Sequence, residues 1–296
     1  MTRLLDPVGL PIEIVGVVGV GIFLFGLIVG SLLNVVIHRL PRGESVVSPR
    51  SRCPHCGVPI RGLHNIPLFS YAFLRGRCAG CSHPISIRYP AVELLTACVF
   101  AAFFARYGLQ AALPVWFFFA ATLIAAAAVD LEHQLIPDEF SLGGLFVGLL
   151  AAPGLAFIVG GAPGEALRGA AVGAALGAFV LWSVGFLHAR VSTALGRRFD
   201  HWPGEGEALP SWRSLDYWIW FPGIGFGDVK LLAMIGAFLG ALGVLETIVA
   251  ASFLGLLVGG LLALRRGASV PFGFGPSLAA GAVFVALVPL PVIGLP

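Results

Sequence analysis

The sequence predicts an all-α polytopic membrane protein of about eight transmembrane helices with a small zinc-ribbon-like cytoplasmic domain. Three observations carry this. Of 296 residues, 58% are hydrophobic and only 11% charged, outside the usual composition of soluble globular chains. Apolar stretches of about 18 residues or more recur along the chain, each long enough to cross a hydrocarbon layer of ~30 Å as a helix. Four of the five cysteines form two Cys-x-x-Cys pairs within one polar, basic stretch. The apolar runs are continuous, not alternating, which argues against a transmembrane β-barrel.

The candidate spans are 14–37, 90–107, 112–131, 141–160, 168–189, 226–242, 244–264 and 274–294. The first is too long for a signal-peptide core and lacks a small-residue cleavage site, so it is expected to remain as a span. Residues 38–89 are rich in Pro, Gly, Arg and His without helical periodicity. Eight of the 18 basic residues lie between Arg39 and Arg88, against one acid, Glu44. Between two spans this is the positive-inside signal and not a nucleic-acid patch, so the bilayer is the expected partner and nucleic acid is not. With that loop inside, both termini lie outside, and 132–140, 190–225 and 265–273 also face the cytoplasm. Arg190, Arg197, Arg198, Arg213, Arg265 and Arg266 agree with this orientation; Arg106 and Arg168 do not. The insertion 190–225, with Trp202, Trp212, Trp218 and Trp220, suits an interfacial segment. Small residues at Gly169, Gly173, Gly177, Gly236 and Gly240 favour close helix packing. No internal repeat is evident. The expected organisation is a first span at 1–37, a cytoplasmic metal domain at 38–89, and a multi-span catalytic domain at 90–296 with the interfacial loop at 190–225.

Three constellations carry chemistry. Cys53-Pro-His-Cys56 and Cys78-Ala-Gly-Cys81 can present four thiolates tetrahedrally to a structural zinc. Four sulfur ligands leave no open coordination position, so such a metal organises the loop and does not catalyse. His55, His64 and His83 lie nearby as alternative ligands, but with a complete Cys set they are expected at the surface. The second constellation is Asp130, closing an apolar run, with Glu132, His133 and Asp138 beyond it. Asp130 and Glu132 are ~200° apart on a helix and cannot share a face, and Asp138 is placed to cap the next helix. The third is Gly225-Phe226-Gly227-Asp228-Val229-Lys230, at the start of another apolar run. Acids at a membrane boundary read as functional, and the flanking glycines admit close approach by an extended peptide. Asp130 and Asp228 fall at the cytoplasmic ends of their spans. Sharing one proton, such a pair can act as general base and general acid toward a peptide bond. Lys230 can stabilise a carboxylate or reach toward phosphates, and the second is the expected role. Glu93, at the start of the second span, contacts either this site or the cysteine loop, or caps its helix.

These residues resemble the bifunctional type IV prepilin peptidases, also called leader peptidase/N-methyltransferases. The matching stretches are Gly30-Ser31 through Asn34, His38-Arg39 and Pro41, the paired cysteines, Asn65-Ile-Pro67 with Ser70, and Ile85 to Pro90 through Glu93. Asp130 through Pro137-Asp138, Gly225 to Lys230, and Pro271 to Pro276 complete the set. The resemblance implies a G-x-G-D aspartyl protease with catalytic Asp130 and Asp228. It implies a zinc-binding set of Cys53, Cys56, Cys78 and Cys81, and S-adenosylmethionine as the methyl donor. It also implies a bacterial inner-membrane location with the active site facing the cytoplasm. The expected partners are prepilins or pseudopilins, whose basic leader is cut and whose new N-terminus, often Phe, is methylated. Two alternatives stand beside it: a proton- or cation-coupled transporter using the same acids, and a thiol redox protein using the Cys-x-x-Cys pairs.

Overall fold

The computed structural model describes residues 12–197, 199, 211–219, 222, 225–266 and 273–288. In order they form α1 (Ile12–Arg39), α2 (Phe69–Phe73), α3 (Arg88–Tyr107), α4 (Leu113–His133), α5 (Asp138–Ile158), α6 (Pro163–Ala194), α7 (Leu215–Ile219), α8 (Phe226–Arg266) and α9 (Gly275–Leu287). Among the described residues no sheet forms; two isolated bridges, Arg52 with Pro59 and Arg77 with Pro84, lie in the loop after α1. The chain divides into two compact units, Met1–His133 and Gln134–Pro296.

Six of these helices are long and apolar enough to cross a membrane. The expected spans map onto the helices in order, with two differences. The sixth and seventh join in α8, which breaks at Gly240, where φ is 70° and ψ −176°. Positive φ is why the break falls on a glycine. The last helix, α9, has 13 residues, and the remainder of the expected span to 294 lies outside the described residues. Nor is the loop 38–89 free of helix: it holds α2 and two 3-10 turns, Leu40–Arg42 and Gly62–Asn65.

In the first unit α1 packs against α3 and α4. Glycines let α1 and α3 approach backbone to backbone: a Cβ on Gly26 would lie 2.6 Å from the Ala97 Cα, and one on Gly30 2.6 Å from the Glu93 Cα. Phe100, Phe103 and Phe119 are fully buried, and Phe100 stacks on Phe117 with centroids 4.1 Å apart. The opposite side of α1 exposes Val17, Val20, Leu24, Ile28 and Leu32. Their spacing makes a continuous apolar stripe, the surface a bilayer would cover. At the end of α1, the buried Arg39 guanidinium donates to the carbonyls of Ser45 (2.9 Å) and Pro49 (2.8 Å), turning the chain into the loop.

In the second unit α6 packs tightly on α8 through glycine. Side chains at Gly173, Gly177 or Gly236 would run into the opposing backbone, at Gly236 and Gly240, at Leu232, and at Gly173 respectively. Gly169 has nothing within 4 Å of its Cβ position and takes no part. Gly148 of α5 meets α8 similarly, its Cβ position being 2.9 Å from the Ala237 Cβ. The described part of the 190–225 insertion, which includes α7, is pinned to α6 by aromatic residues. Trp182 donates to the Trp218 carbonyl at 2.8 Å, and the Arg190 guanidinium lies 3.6 Å from the Tyr217 ring centroid. Trp202, Trp220 and Arg198 lie outside the described residues.

Because the α6–α8 contact has no room for a side chain, Gly173→Leu or Gly177→Leu should lower stability by about 1–3 kcal/mol. Gly169→Leu should change it little. Thermal unfolding of the detergent-solubilised protein checks both.

Candidate metal centre and acidic helix ends

The loop after α1 brings all four paired cysteines together. The sulfurs of Cys53, Cys56, Cys78 and Cys81 lie within 4.8 Å of one another, close enough to share one tetrahedral ion. The backbone builds this cluster twice by the same rule. Cys53 donates its N–H to Val58, Gly57 to Cys53, and Ile60 to Ser51; correspondingly Cys78 donates to His83, Ser82 to Cys78, and Ile85 to Gly76. The bridges Arg52–Pro59 and Arg77–Pro84 are equivalent too. So are the positive φ values of Gly57 (70°) and Ser82 (57°).

An internal repeat is therefore present, contrary to the sequence expectation: Arg-Cys-x-x-Cys-x-x-Pro-Ile occurs at Arg52–Ile60 and again at Arg77–Ile85. It is nine residues long and sits in a loop, so span-scale comparison misses it. His55 and His83 are exposed, as expected, and stack with centroids 4.2 Å apart.

The thiols are electrostatically prepared for a cation. The Cys78 thiol is drawn down to about 6, chiefly by N–H groups of Gly80 and Cys81 that favour its thiolate. The Cys81 thiol is pushed up to about 12. The His83 N–H pulls it down, but desolvation and the sulfurs of Cys56, Cys78 and Cys53 outweigh that. Negative charge gathered on the cluster makes each further deprotonation harder, and a divalent cation relieves this.

The predicted acids occupy helix ends. Asp130 lies in the last turn of α4, 6% exposed, beside the fully buried Ala125, Ala126 and Val129. Asp228 lies in the first turn of α8, half-buried, its N–H donating to the Gly225 carbonyl at 3.0 Å. A side chain at 225 would come within 3.6 Å of Asp228 Oδ2, so glycine keeps the approach to that oxygen open. A Cβ at Gly227 would come 3.2 Å from the Ile136 Cβ, so this glycine lets the start of α8 close on the 134–137 segment. Asp130 belongs to the first unit and Asp228 to the second.

Two neighbouring side chains differ from expectation. Lys230 does not reach outward alone: it pairs with Asp138. Asp138 does not cap α5 with its side chain; Pro137 is the N-cap residue, and Asp138 sits in the first turn beside the positive end of the helix dipole. Glu132, off the Asp130 face, pairs with Arg88 at the start of α3. Glu93 touches the cysteine-bearing loop: its Oε2 accepts the Leu68 N–H at 2.8 Å, at a residue with φ of 57°.

Within the first unit a cavity of about 990 Å³ opens between the cysteine domain and the ends of α1 and α3. Its walls include Ser31, Asn34, His38, Tyr89, Glu93 and Glu132. Sequence reasoning missed Asn34 and left Glu93 as a contact of the acid site or the cysteine loop, or a helix cap. The available signal is polarity inside an apolar run, one turn after Gly30 in the case of Asn34.

Residues 24–107 match the bacterial peptidase A24 N-terminal domain, and residues 117–260 the type IV leader peptidase family. A prepilin leader peptidase/N-methyltransferase of Myxococcus xanthus (strain DK1622) is 39% identical over 84% of this chain and 64% of its own length. Proteins of the same name from Dichelobacter nodosus and Aeromonas hydrophila are 36% and 37% identical. They align over 86% and 87% of this chain and 87% and 86% of their own lengths. No solved structure matches.

Purified protein should carry one zinc per chain, lost on Cys53→Ser or Cys78→Ser. Thiolates are the ligands, so affinity should fall with acid. Below pH about 6, where Cys78 also takes up a proton, the slope of log affinity against pH should steepen by one proton. Competition with a zinc-chelating dye across pH 5–8 measures it.

Proposed function

The chain belongs to the prepilin leader peptidase/N-methyltransferase family, and on that premise we propose that its peptidase centre is built on Asp130 and Asp228. The protein is a multi-pass membrane enzyme that removes the leader of prepilins and methylates the new N-terminus. The assignment of the acids is supported most directly by their setting. Each is a carboxylate at the end of a long apolar helix, a position beside which a leader peptide can lie while the substrate's apolar helix stays in lipid. The transporter alternative is not favoured, because the relatives that span the chain are named as peptidases.

In the proposed mechanism one carboxylate is ionised and the other protonated. The ionised member takes a proton from water as the water oxygen adds to the scissile carbonyl carbon. The protonated member donates a hydrogen bond to the carbonyl oxygen, and a proton then passes to the leaving amine as the C–N bond breaks. The glycines at 225 and 227 leave space for an extended peptide at Asp228.

Cys53, Cys56, Cys78 and Cys81 are the residues that would hold zinc, and their four-sulfur set suits a structural ion that ties the 38–89 domain together. S-adenosylmethionine, when bound, supplies the electrophilic methyl group. The cavity between the cysteine domain and α1–α3 is at the upper end of the size range of small-molecule sites. We place the leader, the cysteine domain and both acids on the cytoplasmic side of the bacterial inner membrane, following the arginines of the 38–89 loop.

Asp130→Asn and Asp228→Asn should each lower leader cleavage by at least about 10²–10⁴-fold while the protein still inserts into membranes. Co-expression with a prepilin, read by the gel shift of the processed product, measures this. Full processing by either variant would remove that acid from the mechanism.

A further inference from the structure

Two buried hydrogen-bond acceptors line the first-unit cavity, and among the described residues one has no partner and the other no cation. Asn34 is 3% exposed; its Nδ2 donates to the Tyr89 carbonyl at 2.9 Å and the Gly30 carbonyl at 3.3 Å. Those two carbonyls fix the amide's orientation, and its buried Oδ1 has no partner among the described residues. Glu93 lines the same cavity, 8% exposed. Its carboxylate accepts hydrogen bonds from the Leu68 N–H and from Ser31. Among the described residues no cation pairs with it. Two of the basic side chains lining the cavity are committed elsewhere: Arg88 to Glu132, and Arg39 to the Ser45 and Pro49 carbonyls. A buried carboxylate and a buried amide oxygen in one cavity call for a cationic donor with several N–H groups.

We propose that Asn34 Oδ1 and the Glu93 carboxylate form the acceptor floor of a binding site for a primary α-ammonium group. The inference rests on the methyltransferase half of the proposed function, which offers two sources of that group. One is the methionyl end of the methyl donor, the other the new N-terminus of the cleaved substrate. In either case Asn34 and Glu93 hold the amine by hydrogen bonds and charge, and Gly30 lets α1 lie close enough to α3 to bring the two together.

Equilibrium binding to full-length, zinc-loaded protein in detergent tests this with two probes. S-adenosylhomocysteine keeps the donor's ammonium; a peptide with a free N-terminal Phe supplies the acceptor's. Glu93→Gln and Asn34→Leu should each weaken one probe by about tenfold or more, and the probe affected identifies the source. In wild type, the desamino analogue of that nucleoside, or the N-acetylated peptide, should lose affinity by a similar factor. This arm holds even if a variant fails to fold, which its zinc content reports. Failure of both probes to bind wild type, or equal binding of the amine-free ligands, overturns the site. Leader cleavage by wild type and Asp130→Asn, run in parallel, tests the peptidase centre separately.

Discussion

In hydrocarbon no water is available to a polar group, so each polar side chain on a membrane helix must sit at the helix end, find a partner, or face a cavity. That constraint accounts for nearly every polar position described here. Asp130 and Asp228 are at helix termini. Arg88 and Lys230, at the starts of α3 and α8, pair with Glu132 and Asp138. Asn34, deeper in α1, spends its amide N–H groups on two backbone carbonyls. Glu93 ties the start of α3 to the loop that carries the cysteines.

The same constraint explains the glycines. Without a hydrophobic effect between helices in lipid, association depends on close van der Waals contact, which small residues permit. Gly26 and Gly30 do this for α1 against α3, and Gly173, Gly177 and Gly236 for α6 against α8. In the first unit the consequence reaches function, because Gly30 sets the distance from α1 to the helix bearing Glu93. Packing and the cavity floor are one feature of the fold.

The cysteine domain solves a different problem. A loop of some 50 residues has too little apolar surface for a core of its own, and a metal held by the four cysteines would compensate. Both knuckles are preformed by backbone hydrogen bonds that aim the sulfurs at a common centre. A lowered Cys78 thiol favours metal capture near neutral pH. The chain thus uses two different physical devices: acids at helix ends, and a cysteine-bearing loop that lies over a cavity.

The sequence by itself determined the helical membrane class, the positions of the long helices, the cysteine quartet and the candidate acids. Each of these is a local signal: a run of apolar residues, a charge at its end, a fixed Cys-x-x-Cys spacing. Tertiary structure decided the rest, because those features depend on residues far apart in sequence. Composition could not choose between Lys230 reaching for phosphate and pairing with Asp138, 92 positions away. The position of the break in α8 came from a single glycine's positive φ within a continuous apolar run. The nine-residue repeat is written in the sequence, but that it builds two equivalent knuckles follows from their matching hydrogen bonds. Asn34 reads as an isolated polar residue, and Glu93 as a contact of the acid site or the cysteine loop or a helix cap, until the close approach of α1 and α3 puts both on one cavity wall, where Asn34 Oδ1 has no partner among the described residues.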